Sequence, residues 1–308
     1  MRNSFAKTIQ ELAQQENRIF LITGDLGFSV LENFRDSFPD RFINAGIAES
    51  NMVGFASGLA LRGKKPYVYS IIPFATMRCY EQIRNDICYQ NTDVKIVGIG
   101  AGLAYGILGP THHSKEDIAI MKSLPGMRIL CPCDPLETRE IVKESLKITG
   151  PMYLRLGKGN DPIIHTSAPK IEIGKGSILR KGDDITFIAH GSIIKNVLKA
   201  ADEIELQGVS ARVINMHTIK PLDKNIILEA AGQTKAIITV EEHSIIGGLG
   251  SSVAEVLAEN MAATIFKRIA LEDSFESIAG SQEYLRNINN LSSDSIKKTA
   301  LLILKNEN

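Results

Sequence analysis

Along the first half of the chain, short apolar runs alternate with longer segments whose apolar residues recur at helical spacing. RIFLIT (18–23), YVYSII (67–72), VKIVGIG (94–100), MRILC (127–131) and PMYLRL (151–156) have the length and make-up of buried strands. Between them, ESNMVGFASGLALRG (49–63) sets Met52, Val53, Phe55, Ala56, Leu59 and Ala60 along one broad helical face and ends on Gly63, which suits a helix C-terminus. FATMRCYEQIRNDICYQ (74–90) predicts one continuous helix entered through Pro73, and KEDIAIMKSL (115–124) and LETREIVKESL (136–146) predict two more. Such alternation predicts a parallel sheet covered by helices on both faces.

Gly, Pro and polar residues break the pattern over 159–176, which predicts a linker between units at 1–158 and 177–308. The second unit restarts the alternation. ITFIAHG (185–191), VSARVINM (209–216), KAIITVEEH (235–243) and TIFKRIAL (264–271) predict strands. SIIKNVLKAADEIELQ (192–207), GLGSSVAEVLAENM (248–261) and SSDSIKKTALLILKN (292–306) predict helices, the last opened by a Ser/Asp cap. The expected fold class is α/β, with two doubly wound units in sequence.

Charge narrows the function. Lys plus Arg and Asp plus Glu both number 35, so the formal net charge is zero, and neither nucleic acid nor an anionic membrane is an expected partner. The apolar runs are far shorter than the ~20 residues that span a bilayer. The N-terminal stretch reads as a polar amphipathic helix and not as a signal peptide. Cys79, Cys88, Cys131 and Cys133 are expected as buried, reduced thiols of a cytoplasmic protein; Cys131-Pro132-Cys133 has neither a second pair nor a nearby His to complete a zinc set.

The informative chemistry begins at FINAGIAESNMVGFASGLALRGKKP (42–66), where a short strand delivers Glu49 to the start of a small-residue helix. Taken alone, an acid there complements the helix dipole. The full string GIAESNMVGFASGLAL resembles the pyrimidine-binding motif of transketolases and their relatives, and the resemblance extends over nearly the whole chain. It implies that thiamine diphosphate is the cofactor and that Glu49 binds its aminopyrimidine ring. The cofactor loses a weakly acidic carbon-bound proton to its own amino group, and an acid buried against the far ring nitrogen promotes the tautomer that makes this group basic.

The same resemblance assigns other residues. At YVYSIIPFATMRCYEQIRNDI (67–87), Phe74 matches a residue on which the aminopyrimidine stacks, while Ile71 and Met77 fall where relatives carry aromatics. In GIGAGLAYGILGPTHHSKEDIAIMKSLPGM (98–127), His112 matches the histidine of a Gly-Pro-Thr-His string in the substrate channel, and His113 is expected to contact donor or acceptor. Asp25 and Ser29 match a loop beside the cofactor and the acceptor's phosphate; Arg2 and Lys158 match phosphate-binding positions, Lys158 in place of an Arg. Two family features are replaced: an Asp before Gly-Pro-Thr-His reads Leu108, and a His earlier in the loop reads Gly100. Both normally address sugar hydroxyls, so unusual sugars are expected.

No Gly-Asp-Gly string occurs, since Gly24-Asp25 continues as Leu26. The resemblance therefore implies a chain carrying the pyrimidine half of the site and no metal ligand of its own. An N-terminal, diphosphate-binding transketolase subunit would hold Mg²⁺ as its partner, in an α2β2 assembly acting on sugars. Glu241-Glu242-His243 has a catalytic look, but the corresponding region of relatives is mainly structural. The competing classes are a 2-oxo-acid dehydrogenase beta subunit, a deoxyxylulose-phosphate-type synthase and a non-catalytic dimerising subunit.

Overall fold

The computed structural model describes residues 1–305; Asn306, the last residue of the expected C-terminal helix, lies outside the described residues. The first unit runs α1 (Arg2–Gln15), β1 (Ile19–Thr23), α2 (Glu32–Ser37), β2 (Phe42–Asn44), α3 (Glu49–Leu61), β3 (Lys65–Ile71), α4 (Ile72–Thr76), α5 (Tyr80–Gln82), β4 (Lys95–Ile99), α6 (Asp117–Lys122), β5 (Arg128–Leu130), α7 (Pro135–Lys147) and β6 (Met152–Leu156). The second runs β7 (Ser177–Arg180), β8 (Ile185–Ala189), α8 (Ile194–Glu205), β9 (Ala211–Asn215), β10 (Thr218–Lys220), α9 (Lys224–Gln233), β11 (Ala236–Ser244), α10 (Leu249–Glu259), β12 (Ile265–Leu271), α11 (Gln282–Ile288) and α12 (Ser293–Lys305).

Two sheets result, one seven-stranded in the order β10-β5-β6-β4-β3-β1-β2 and one five-stranded in the order β12-β11-β8-β9-β7. Every pairing among β1 to β6 is parallel, so the loops after these strands gather at one edge of the sheet. That carboxyl edge is where open α/β sheets place ligands. The central strands β4 and β6 are buried at every residue, as continuous apolar runs in a doubly covered sheet should be.

Three features depart from the sequence pattern. First, β10 lies in the second half of the chain yet pairs antiparallel with β5, closing one edge of the first sheet. A three-residue strand leaves no period to detect. Second, the expected helix at 74–90 is interrupted between α4 and α5, then widens into a π-helical stretch at Ile83–Tyr89. Ser57 Oγ donates to the Asp86 carbonyl at 2.6 Å, and Thr92 Oγ1 donates to it at 3.3 Å. Side chains thus satisfy a carbonyl that an α-helical ladder would otherwise use. Third, α2, β7, α9 and α11 are additions; β7 is a half-exposed edge strand with no buried run, and α9 is capped by the Asp223 carboxylate.

One apolar cluster crosses the junction. Ile22, Val68, Ile96 and Ile129 of the first sheet belong to it together with Ile214, Ile237, Leu249 and Val253 of the second unit. Full burial of each such side chain stabilises by ~1.5–3 kcal/mol, so the two units are joined by core and not by a polar seam alone. The four cysteines are free and buried. Among the described residues no helix is long and apolar enough to cross a membrane.

Candidate active site

The site residues come from separate loops at the carboxyl edge. β2 ends at Asn44, the chain turns through Gly46, and α3 begins on Glu49 itself. Glu49 is only 4% exposed. Gly24, after β1, closes its other side: a β-carbon there would stand 3.7 Å from Glu49 Cγ. The strand β3 ends on half-buried Ile71, and Pro73 in the first turn of α4 starts the short helix that presents Phe74.

Arg78, one helical turn beyond Phe74, links these groups. Its guanidinium lies 3.8 Å from the centre of the Phe74 ring, and its Nη1 is 3.3 and 3.4 Å from the two Glu49 carboxylate oxygens. A flat group with a nitrogen edge can therefore rest on Phe74 and meet Glu49 at the same time. An aminopyrimidine needs those two contacts, so the residues present fit that ring.

The strip continues along the loop after β4. The His112 ring packs edge-on to Phe74 with centroids 5.2 Å apart, and Tyr105 packs edge-on to His112 at 6.1 Å. Lys158 Nζ, from the loop after β6, stands 4.9 Å from the Tyr105 ring centre. Burial and the Arg78 charge lower the His112 pKa, which favours its neutral form, and Thr111 Oγ1 lies 2.9 Å from His112 Nδ1. Burial raises the Tyr105 phenol pKa, partly offset by the charge of Arg2 nearby.

The fold thus brings Glu49, Ile71, Phe74, His112 and Lys158 to one strip, with Arg2 near its cationic end. It does not bring every expected residue there. His113 is 3% exposed, with Nε2 3.4 Å from the Gly106 carbonyl, and it lies inside the loop instead of on the channel wall. Asp25 and Ser29 are exposed at positive φ; the Asp25 carboxylate accepts from Asn44 Nδ2 at 3.0 Å, and the Ser29 amide donates to Glu32. Ser29 opens on a hollow it shares with Asn3, Lys7 and Asn33. Sequence reasoning misses Arg78 and Tyr105. The signals for them are a cation four residues after Phe74 and a lone aromatic in a glycine-rich loop.

The Glu241–His243 segment is engaged internally. Glu241 accepts from the Leu249 and Gly250 amides at the start of α10. Glu242 accepts from the Leu103 amide at 2.6 Å, Gln282 at 2.8 Å and Arg286 at 2.5 Å. Arg155 donates to Asp117 at 2.7 Å and to the Glu242 carbonyl at 3.1 Å. Burial alone would raise the Asp117 pKa; Arg155, His243 and the Tyr153 hydroxyl together outweigh it and hold the carboxyl below its ordinary value.

Cys133 has a histidine neighbour that sequence spacing concealed. His165, from the connecting segment, places Nδ1 4.0 Å from Cys133 Sγ, and Glu137 completes a group within 4.8 Å. The ligating atoms already have protein partners: Asn215 donates to Cys133 and Glu137, the Cys133 amide donates to Glu137, and His165 pairs with Asp134 at 3.0 Å. Asp134 also accepts from the Glu137 amide, so the group is a helix cap that joins both units.

Known proteins agree with this architecture. Residues 1–162 match the family described as "Transketolase, pyrimidine binding domain", and residues 174–290 match "Transketolase, C-terminal domain". The chain is 36% identical to a 6-deoxy-6-sulfo-D-fructose transketolase subunit of Clostridium sp. (strain MSTE9), over 100% of this chain and 95% of that one. It is 39% identical to an apulose-4-phosphate transketolase subunit of Phocaeicola vulgatus, over 99% and 97% respectively. A solved structure described as a split gene transketolase, inactive beta4 tetramer, superposes with a TM-score of 0.87 at 37% identity, covering 96% of this chain and 95% of the other. With both units matched in order and relatives aligned nearly end to end, the chain belongs to the transketolase family.

Proposed function

We propose that this chain is the pyrimidine-side subunit of a split, thiamine-diphosphate-dependent transketolase. It transfers a two-carbon ketol unit from a ketose to an aldose, and a partner subunit supplies the diphosphate and Mg²⁺ contacts. The observation that carries the reading is the half-site itself. Arg78 bridges the buried Glu49 carboxylate to the Phe74 ring, while the Gly-Asp-Gly string of the other half is absent from the chain. The relative described as an inactive beta4 tetramer supports the need for a partner, and we infer an α2β2 assembly in the cytoplasm.

The bound cofactor supplies the nucleophilic carbon that carries the ketol fragment. This chain's residues bind and orient around it. Glu49 holds a proton against the far ring nitrogen, and Phe74 with Ile71 fixes the ring plane. Arg78 leaves the face of Phe74 as the ring enters. His112, kept neutral chiefly by burial, exchanges a proton with a substrate oxygen. Lys158 and Arg2 give the strip a cationic end suited to a terminal anion. The sugars named for the two relatives, a sulfo sugar and a 4-phosphate, both carry such an anion.

The test compares the purified chain with its mixture with a diphosphate-binding partner, each in the presence of Mg²⁺. Calorimetry is expected to show thiamine diphosphate binding tighter than ~1 μM, about −8 kcal/mol, in the mixture and not in the chain alone. Ketol transfer is likewise expected in the mixture alone. Decarboxylation of a 2-oxo acid without ketol transfer would overturn the reading in favour of the dehydrogenase class.

A further inference from the structure

Between the reacting end of the strip and its cationic end, the side chain that touches both His112 and Lys158 is Tyr105. Its place depends on Gly100. That residue has φ +95, a left-handed conformation that favours glycine, and a β-carbon there would collide with Cδ2 and Cε2 of Tyr105. A polar side chain at position 100 and the Tyr105 ring therefore exclude one another. Leu108, 48% exposed in the same loop, removes a second position from polar recognition. The middle of the wall is the Tyr105 ring, with the Lys158 ammonium over one face and apolar Leu108 in the same turn.

An aromatic face packs against C–H groups and takes a hydroxyl's proton only as a weak π contact, so a hydroxyl aimed at it exchanges its water for a poorer partner. The phenol oxygen is available only at the ring edge. We propose that Tyr105 is the specificity-determining residue of the channel. It selects terminally anionic sugars that turn a deoxy carbon toward the wall, midway between the reacting carbonyl and the anion. The proposal rests on the ketol-transfer reading for its reaction, but it also predicts binding, which can be measured without turnover.

The experiment uses the full chain reconstituted with its diphosphate-binding partner, with ribose 5-phosphate and its 2-deoxy and 3-deoxy counterparts as acceptors. Wild type, Tyr105→Phe, Tyr105→Leu and Tyr105→Ala are compared, with Glu49→Gln as control. Wild type is expected to favour one deoxy acceptor in kcat/KM by about tenfold or more. Tyr105→Ala and Tyr105→Leu should erase that preference by raising its KM about ten- to a hundredfold, with kcat changed much less. Tyr105→Phe should keep the preference, since the ring face carries it. A selectivity ratio that Tyr105→Ala and Tyr105→Leu leave unchanged overturns the proposal. So does a parallel fall in kcat for every acceptor, which marks a structural or chemical role. Should wild type transfer no ketol unit and match Glu49→Gln, the ketol-transfer reading fails instead. Saturation-transfer NMR with the same three sugars then decides on Tyr105: weaker deoxy-sugar binding in Tyr105→Ala supports the proposal, and equal binding refutes it.

Discussion

Glu49 and Glu242 are both buried carboxylates beside an arginine, yet their surroundings differ in kind. Glu242 takes bonds from an amide, a glutamine and Arg286, all within 2.8 Å, and Arg286 is itself buried. Among the described residues Glu49 meets a single cation, at 3.3 Å, and that arginine is 48% exposed. One site is closed on itself, and the other holds its carboxylate with a partner that can leave. An acid–base cluster is thus a poor guide to function until its hydrogen bonds are counted. Where every lone pair is engaged, the cluster fixes the fold. Where a buried acid faces a replaceable group, a ligand can compete.

This contrast can be broken by experiment. Glu49→Gln should lower turnover of the reconstituted complex by about 10²–10⁴-fold, the usual worth of positioned acid–base chemistry, while the melting temperature stays near wild type. Near-normal turnover would remove Glu49 from the chemistry. Arg286→Met should do the opposite. Leaving Glu242 buried without its cation costs about 3–5 kcal/mol, visible as a lower urea midpoint, with activity per folded molecule largely kept. If Glu49→Gln unfolds the protein and Arg286→Met does not, the two sites have been assigned the wrong way round.

A pH titration sharpens the comparison at the Asp134–His165 cap. Burial opposes ionisation of Asp134, but His165 and backbone amides lower its pKa to about 2. Its contribution is therefore complete above the unfolded value of ~3.9 and is lost as pH falls through about 2. The hydrogen bond to Asp134 raises the His165 pKa. That contribution is complete below ~6.5 and is lost as pH rises through the folded value. The pair should stabilise most between about pH 4 and 6.5. The melting-temperature gap between wild type and His165→Gln should be widest there and narrow as pH rises through the folded His165 value; a gap independent of pH would exclude the linkage. The smallest effect is expected at α12, where Ser292 Oγ accepts from the Ser295 amide at 3.2 Å. Ser292→Ala should cost about 1 kcal/mol in denaturant unfolding and leave turnover unchanged.

Periodicity made the long elements legible. The buried runs of β1, β3, β4 and β6 are set by local spacing, which tertiary packing only had to accept; of the expected α3 face Met52, Val53 and Ala56 are buried, whereas Phe55 is exposed. The π-helical widening at Ile83–Tyr89 is hidden from local pattern because the Asp86 carbonyl is claimed by Ser57 and Thr92, residues distant from one another in the chain. Glu49, Phe74 and His112 were visible through the motif strings that carry them. Arg78 and Tyr105 were not, since their importance comes from what they touch: Glu49 lies 29 positions from Arg78, and Gly100 makes room for the Tyr105 ring. His165 illustrates the same limit, reaching Asp134 from 31 positions away.

The pairing of β10 with β5 has a consequence for synthesis on the ribosome. The β5 edge is translated well before its neighbour at Thr218–Lys220 emerges. At about 5–20 residues per second, that edge waits on the order of ten seconds. Until then it is an open template for any other nascent strand, and chaperone demand should peak in that interval.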